Sequence, residues 1–161
     1  MATGSITPKE RHELVLRRVF DAPRELVFKA WTDPKIVAKW WGPHRFTNPV
    51  CELDARPGGT IRIHMRGPDG TVYPMTGVYQ EVFAPERIVF TSAALDAAGN
   101  PMFEMLSTVT FAEEGGKTKQ ILRTRVIKST AEAPRYLAGM EAGWTQSLER
   151  LTAYLAEHSK E

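Results

Sequence analysis

The sequence predicts an α+β fold in which a curved antiparallel sheet of about seven strands wraps around a long C-terminal helix, with two short helices after the first strand. Residues 129–157 predict the long helix, because apolar side chains recur there at the helical period. Residues 45–127 predict the sheet, because short apolar runs alternate with Gly, Pro and Asp turn signals. Such short connections make neighbouring strands antiparallel, since a parallel pair needs a long crossover.

Length and composition fit one compact domain, with 161 residues of which 42% are hydrophobic and 25% charged. We predict a flexible N-terminal tail over residues 1–11 and a single domain over residues 12–158. The lone Cys51 cannot form an internal disulfide, which favours a reducing, cytoplasmic location. We find no signal peptide or membrane span, and scattered basic residues with a net charge of +2 give no footprint for nucleic acid.

The first elements of the chain are a strand and two short helices. Residues 12–20 are rich in aliphatic side chains and predict the strand. Pro23 suits the first position of a helix, and Glu25 then lies in the first turn, near the positive end of the helix dipole. Asp33 and Pro34 repeat this start signal for a second short helix. Gly42 and Pro43 end that helix. We expect the two helices to form a lid or cradle.

Six apolar runs between turn signals predict the other strands, at residues 45–54, 59–66, 72–83, 87–94, 102–112 and 117–127. Ile61 and Ile63 oppose Arg62 by strand alternation, and the run 102–112 alternates in the same way. One face of the sheet is therefore expected to be dry and the other wet. The third and fourth runs alternate less cleanly, and the sequence leaves their orientation open.

The C-terminal helix carries one apolar stripe, formed by Leu137, Met140, Trp144, Leu148, Leu151 and Leu155. Gly139 and Gly143 interrupt this helix, and each costs about 1 kcal/mol relative to Ala. We interpret the two glycines as points of close approach by another backbone, the corner at residues 41–43, rather than as cavity space. The irregular N-terminal part of the helix should border any ligand site, whereas the C-terminal part should pack on the sheet.

A series of short motifs spans most of the chain in a fixed order. The motifs are Arg18-Val-Phe-Asp-Ala-Pro-Arg-Glu-Leu-Val, Ala30-Trp-Thr-Asp-Pro, Lys39-Trp-Trp-Gly-Pro, Asp54-Ala-Arg-Pro-Gly-Gly, Met65-Arg-Gly-Pro-Asp-Gly, Pro85-Glu-Arg-Ile-Val-Phe-Thr and Gly139-Met-Glu-Ala-Gly-Trp-Thr-Gln-Ser-Leu. This set resembles the helix-grip, START-like (SRPBCC) superfamily, which includes the birch-pollen-allergen type of protein and the polyketide cyclases. More closely, it resembles the branch named after the activator of heat-shock protein 90 ATPase, in its short bacterial single-domain form. Functions in this superfamily range from lipid carriage to cyclase chemistry.

Candidate ligand-binding residues are those expected to face inward between the sheet and the C-terminal helix. They are Trp40, Trp41, Ile61, Ile63, Met65, Met75, Tyr79, Phe90, Phe103, Met105, Gln120, Met140 and Trp144. Methionines adapt to irregular ligands, and the amide of Gln120 would orient a polar group. For the tryptophan pair the alternative is core filling, since large aromatics dominate core energetics.

Residues with acid, base or metal-binding chemistry form no complete constellation. The four histidines lack the spacing of a zinc site, so we predict no metal and no cofactor. We expect Cys51 to be a small buried hydrophobe, and Asp54 and Arg56 to form an ion pair. Glu81 follows Tyr79 at strand spacing, which would set a carboxylate beside a phenol inside the cavity.

Three functions stay open. The first is a binding module for a small apolar or aromatic molecule, held in an apolar cavity between sheet and helix. The second, which the resemblance implies, is a co-chaperone-like regulator of heat-shock protein 90 ATPase activity. The third is a cyclase-like or hydrolase-like enzyme in the same cavity, for which we find no nucleophile motif. Ligand identity and oligomeric state cannot be derived from the sequence.

Overall fold

The computed structural model describes residues 13–129 and 133–158, without side-chain detail at residues 129 and 133–138. The predicted N-terminal tail and the side chain of Leu137 lie outside this description. The strands are β1 (Glu13–Phe20), β2 (Thr47–Leu53), β3 (Thr60–Arg66), β4 (Val72–Phe83), β5 (Arg87–Leu95), β6 (Pro101–Glu114) and β7 (Lys117–Ser129). The helices are α1 (Arg24–Thr32), α2 (Pro34–Trp40) and α3 (Ala133–His158).

The seven strands form one antiparallel sheet in the order β1-β7-β6-β5-β4-β3-β2. Strands β2 to β7 are a meander, as the short turn signals predict. β1 pairs with β7 along its whole length, so the first strand joins the sheet beside the last one. The helix-grip α+β architecture expected from the sequence is confirmed.

A local signal in the sequence explains where α2 begins, whereas α1 begins at Arg24, with the predicted first residue Pro23 at its N-cap position. The Asp33 carboxylate accepts a hydrogen bond from the Lys35 backbone N–H at 2.9 Å, and Pro34 occupies the first helical turn. This N-cap satisfies one of the free donors at the start of α2. Both helices turn apolar side chains inward, because Val27, Trp31 and the rest of their apolar faces are buried.

A β-bulge in β4 decides which side chains of that strand face inward. Tyr79 lies opposite Phe90, and Glu81 lies opposite Val89, so one extra residue separates the two pairs. An extra residue reverses the alternation of side chains along the strand. Tyr79 is therefore buried, whereas Glu81 lies on the other face of the sheet. There a carboxylate oxygen of Glu81 is 2.7 Å from a guanidinium nitrogen of Arg87. The prediction that the phenol and the carboxylate face one cavity is wrong.

The buried apolar residues form two separate clusters between the sheet and the helices. The main core lies under α1, α2 and the C-terminal half of α3, and it includes Phe20, Val27, Trp31, Val37, Trp40, Ile63, Ile88, Leu122, Leu148, Leu151 and Leu155. The small core consists of Phe103, Met105 and Val126 with partly buried neighbours that include Met140. The space between the two clusters is where a site has to be sought.

Candidate functional site

A cavity of about 310 Å³ lies between the N-terminal half of α3 and the inner face of the sheet. Its wall is formed by Trp41, Gly42, Pro43, Met65, Tyr73, Pro74, Met75, Ser92, Ala94, Leu95, Met102, Phe103, Met105, Ser107, Thr124, Gly139, Met140, Gly143, Trp144 and Ser147. None of these described lining residues carries a charged side chain. The cavity is a predominantly apolar space with a few hydroxyl groups, which is the usual character of a small-molecule site.

Methionines dominate the apolar wall. The chain has six methionines, and all except Met1 line the cavity. A thioether side chain is unbranched, polarizable and adaptable, and it makes favourable contacts with aromatic rings. The wall can therefore adjust to the shape of an occupant more easily than a wall of branched aliphatic residues.

The tryptophans form the boundary between the cavity and the main core. Trp41 and Trp144 both line the cavity, and their rings meet edge to face at 5.2 Å. Trp144 stacks on Trp31 at 5.8 Å, and Trp31 contacts Trp40 at 4.8 Å. All four tryptophans of the chain thus belong to one cluster, which presents two rings to the cavity and two to the core.

Trp41 also separates the cavity from a void of about 20 Å³ in the main core. Aromatic and aliphatic side chains surround this void, among them Ile61, Ile63, Tyr79 and Phe90. A space of that size holds about one water molecule, and water needs polar partners that this lining scarcely offers. We therefore regard it as a packing defect of the core and not as part of the site.

Hydroxyl groups supply the polarity of the cavity wall. Ser107 on β6 and Thr124 on β7 face each other across paired strands, and their oxygens are 2.9 Å apart. On α3, the Ser147 hydroxyl donates to the Gly143 carbonyl and accepts from the Gly42 backbone N–H at 2.9 Å. The Ser147 hydroxyl is thus used within the fold.

Seven of the thirteen residues predicted to bind a ligand line the cavity, namely Trp41, Met65, Met75, Phe103, Met105, Met140 and Trp144. Four others, Ile61, Ile63, Tyr79 and Phe90, line the small void instead. Trp40 is fully buried and donates its indole N–H to the Ala30 carbonyl at 2.9 Å. Gln120 is also fully buried and accepts from the Trp31 indole at 2.7 Å, away from the cavity wall.

The sequence predictions missed the hydroxyl groups of the sheet. Ser107 has the same inward parity on β6 as Phe103, Met105 and Val109. A single hydroxyl residue among inward-facing apolar residues could have been recognised in the sequence. Because a buried polar group needs a hydrogen-bond partner, such a residue predicts a polar contact inside the fold. Thr124 gives a weaker signal on β7, because Thr118 and Gln120 are polar residues buried on the same face of that strand.

The two glycines of α3 face the cavity, contrary to the prediction that another backbone packs against them. A Cβ atom built on Gly139 or Gly143 would meet no atom within 4 Å outside the local helix. Both residues line the cavity. Their small volume widens the cavity, and the corner that was expected to contact them docks further along α3.

That corner is held on α3 by Arg150. The guanidinium donates to the carbonyls of Trp41, Gly42 and Pro43 at 3.0 to 3.1 Å, and to the carbonyl of Lys39 at 2.9 Å. The Lys39 carbonyl lies in the last turn of α2 and the other three follow within the next three residues, where helical hydrogen bonding leaves acceptors free. Burial lowers the pKa of Arg150, but a guanidinium stays protonated at neutral pH. Arg150 therefore supplies four of the hydrogen bonds that fix the segment carrying Trp41, beside the bond from the Gly42 N–H to Ser147.

The described residues that line the cavity include no acid–base pair. Burial, with smaller effects from Asp33 and Glu52, raises the pKa of the Cys51 thiol to about 11, so it is protonated at neutral pH. Burial also raises the pKa of Tyr79.

The predicted ion pair of Arg56 and Asp54 is present at 2.8 Å. Within residues 13–128 and 139–158, no cluster of three or more His, Cys, Asp or Glu side chains is placed to hold a metal ion.

The single antiparallel sheet, the long helix that it grips and the cavity between them define a START-like helix-grip protein. The chain belongs to the family described as Activator of Hsp90 ATPase homolog 1-like protein, whose model matches residues 21–156. The comparison with curated proteins returned no match.

Solved structures of bacterial proteins share the fold over nearly the full chain. A protein from Chromobacterium violaceum is 32% identical, with 89% of this chain and 96% of that one covered and a TM-score of 0.75. The AHSA1 protein from Silicibacter pomeroyi is 28% identical, with coverage of 91% and 99% and a TM-score of 0.79. A protein from Arthrobacter aurescens is 26% identical, with coverage of 92% and 88% and a TM-score of 0.81. In the part of the chain that the structure describes, no helix is long and apolar enough to cross a membrane.

Proposed function

We propose that the protein binds one small, uncharged aromatic or apolar molecule in the cavity beneath the N-terminal half of α3. The observation that carries this proposal is the composition of the described wall: five methionines, two tryptophan rings and no charged side chain among the described lining residues, around about 310 Å³. Binding sites for small molecules are typically apolar clefts of about 300 Å³ or more, with a few polar groups.

The volume limits the size of the occupant. A cavity of about 150 Å³ lined by aliphatic and aromatic side chains binds benzene. A space about twice that size suits roughly two fused rings. A lipid with two long acyl chains would exceed it, so a compact ring compound is the better fit.

The absence of charge limits the chemistry of the occupant. An ionised group taken out of water costs several kcal/mol unless a partner compensates it. No described residue of the cavity wall offers such a partner. We therefore expect neutral ligands to be bound and their carboxylate analogues to be rejected.

Calorimetric titration with naphthalene and with 2-naphthoate tests this proposal. We expect naphthalene to bind and 2-naphthoate to bind more weakly by about 100-fold or more. Gly143→Leu should fill the cavity and weaken naphthalene binding by more than about tenfold, because steric misfit of a few carbons has effects of that order. Ala142→Leu is the matched control, since this neighbouring residue points to solvent. If naphthalene does not bind, or if Gly143→Leu binds it as well as Ala142→Leu does, the proposal is wrong.

The family description supports a second candidate, regulation of a heat-shock protein 90 ATPase. This function would use an outer surface and would not require the cavity to be occupied. The measurement is the ATPase rate of the chaperone with and without the protein, together with a direct binding assay. Neither binding nor stimulation would remove this candidate. An enzyme function has lost its only carboxylate candidate, because Glu81 pairs with Arg87 outside the cavity.

A further inference from the structure

We infer that the hydroxyl pair of Ser107 and Thr124 selects ligands that carry a carbonyl or similar acceptor oxygen. The inference rests on the proposed function, because it concerns the polar group of the molecule held in the same cavity. If the hydroxyl pair selects in this way, the ligand is a neutral aromatic ketone or a related ring compound that carries an acceptor oxygen, and not any small neutral ring compound.

A count of protons in the pair leads to this inference. Each hydroxyl has one proton to donate, and the two oxygens are 2.9 Å apart. Whichever oxygen accepts within the pair, its own proton has no acceptor there. Among the described residues neither hydroxyl makes another hydrogen bond. One O–H donor is therefore left over at the cavity wall.

Burial makes that donor selective. Ser107 is 1% exposed and Thr124 is 2% exposed, so the spare proton is remote from bulk water. A buried donor without an acceptor costs about 1–3 kcal/mol, and a ligand oxygen that accepts from it removes this cost. An all-carbon ligand of the same shape would leave the donor unsatisfied. The pair therefore discriminates between two ligands that fill the cavity equally well.

The other hydroxyls of the wall are poorer candidates for this role. Ser147 both donates and accepts within the fold, to Gly143 and from Gly42. Ser92 is only partly buried, and its hydroxyl gains less from a ligand because exposed hydroxyls can bond to water. Ser92 lies opposite Met105 on the neighbouring strand and offers a matched control at the same wall.

A pair of compounds that differ in one group provides the test. The 2-acetylnaphthalene molecule carries a ketone oxygen, and 2-isopropenylnaphthalene replaces that oxygen by a methylene carbon. Both are titrated calorimetrically into the wild type and into the double variant Ser107→Ala/Thr124→Val. When both partners of a buried hydrogen bond are replaced by apolar groups of similar shape, stability changes little. The double variant should therefore fold. A thermal unfolding curve checks this point.

The two compounds differ in how readily they leave water, so each binding constant is first divided by the compound's partition coefficient from water into cyclohexane. After this correction we expect the wild type to prefer the ketone over the hydrocarbon by about 3- to 10-fold. The double variant should lose this preference by weakening the ketone while binding the hydrocarbon at least as well. Ser92→Ala should keep the preference.

Three results would overturn the inference: no preference in the wild type, a preference that survives in the double variant, or a preference lost in Ser92→Ala instead. Equal binding of both compounds would leave the proposed function standing while removing the role of the hydroxyl pair. Failure of both compounds and of naphthalene to bind would contradict the proposed function itself.

Discussion

The two halves of α3 carry apolar residues at the same helical spacing, but they meet different surroundings. In the C-terminal half, Leu148, Leu151 and Leu155 are at most 2% exposed and pack into the main core. In the N-terminal half, Met140 and Trp144 are partly buried and border the cavity. An apolar stripe on a helix therefore indicates which side faces inward, but not whether that side meets packed atoms or a hollow.

The difference comes from the residues that face each half. α1, α2 and aromatic side chains of the sheet fill the space under the C-terminal half. Under the N-terminal half the sheet presents small residues, among them Ser92, Ala94 and Ser107, while the helix presents Gly139 and Gly143. Small residues on both surfaces leave volume between them. The C-terminal half therefore packs into the core, and the site of the proposed ligand binding lies under the N-terminal half.

Leu151→Ala is the strongest test of this division. Leu151 is fully buried, and removal of such a side chain costs about 2–5 kcal/mol because a cavity remains. Urea unfolding measures the loss, and naphthalene affinity of the folded variant should stay within about twofold. Met140→Ala is the matched variant in the other half, and we expect it to cost less than about 1.5 kcal/mol while weakening naphthalene binding. The reverse pattern would refute the division.

Replacement of Arg150 tests how the boundary between the halves is held. Arg150→Met keeps the apolar stem but removes the donors to four carbonyls, and we expect a loss of about 1.5–3 kcal/mol in urea unfolding. Arg150→Lys keeps a charge without the planar fork of donors, so it should lie between the wild type and Arg150→Met. An Arg150→Met protein as stable as the wild type would show that packing and the Gly42–Ser147 hydrogen bond hold the corner without Arg150.

Gly143→Ala should stabilise the protein by about 0.5–1 kcal/mol, because alanine is the better helix former and its Cβ meets no neighbour. The glycine would then be retained for the cavity and not for folding. Gly42→Ala is the control at the other wall. Gly42 has a φ of 95°, and a Cβ there would lie 3.0 Å from the Met65 sulfur, so this variant should be destabilised. A destabilised Gly143→Ala would indicate a structural role for the glycine.

Ionisation of Cys51 gives the smallest expected effect and probes the packed end, where the thiol contacts the main core. The pKa of the thiol is raised from 9.0 to about 11 in the folded protein. Both states are protonated below about pH 9, and above it the unfolded thiol ionises first, so stability falls as pH rises towards 11. Urea unfolding at about pH 8 and about pH 10.5 should show a steeper decline for the wild type than for Cys51→Ala. Parallel declines would contradict the burial of this thiol.

Much of the site could be foreseen where the chain repeats a regular pattern. The alternation of Ile61, Ile63 and Met65 correctly placed them on the inner face, and the same reasoning held for β6. It failed for Glu81, because one extra residue in β4 reverses the alternation without any local signal. The alternation also could not show which inward residues line the cavity and which line the small void. The difference depends on the side chains that lie opposite each residue, and these come from other parts of the chain.

By itself the sequence determined the strands, the turns, the start of α2 and the inward faces of β3 and β6, because these follow from the identity of residues close together in the chain. Only the tertiary structure decided that Gly139 and Gly143 open a cavity, that Arg150 caps the corner after α2, and that Ser107 meets Thr124. The physical reason is that an empty volume, a docked carbonyl or a paired hydroxyl depends on two surfaces at once. Those surfaces come from distant parts of the chain, and their separation is set by the packing of all the residues between them.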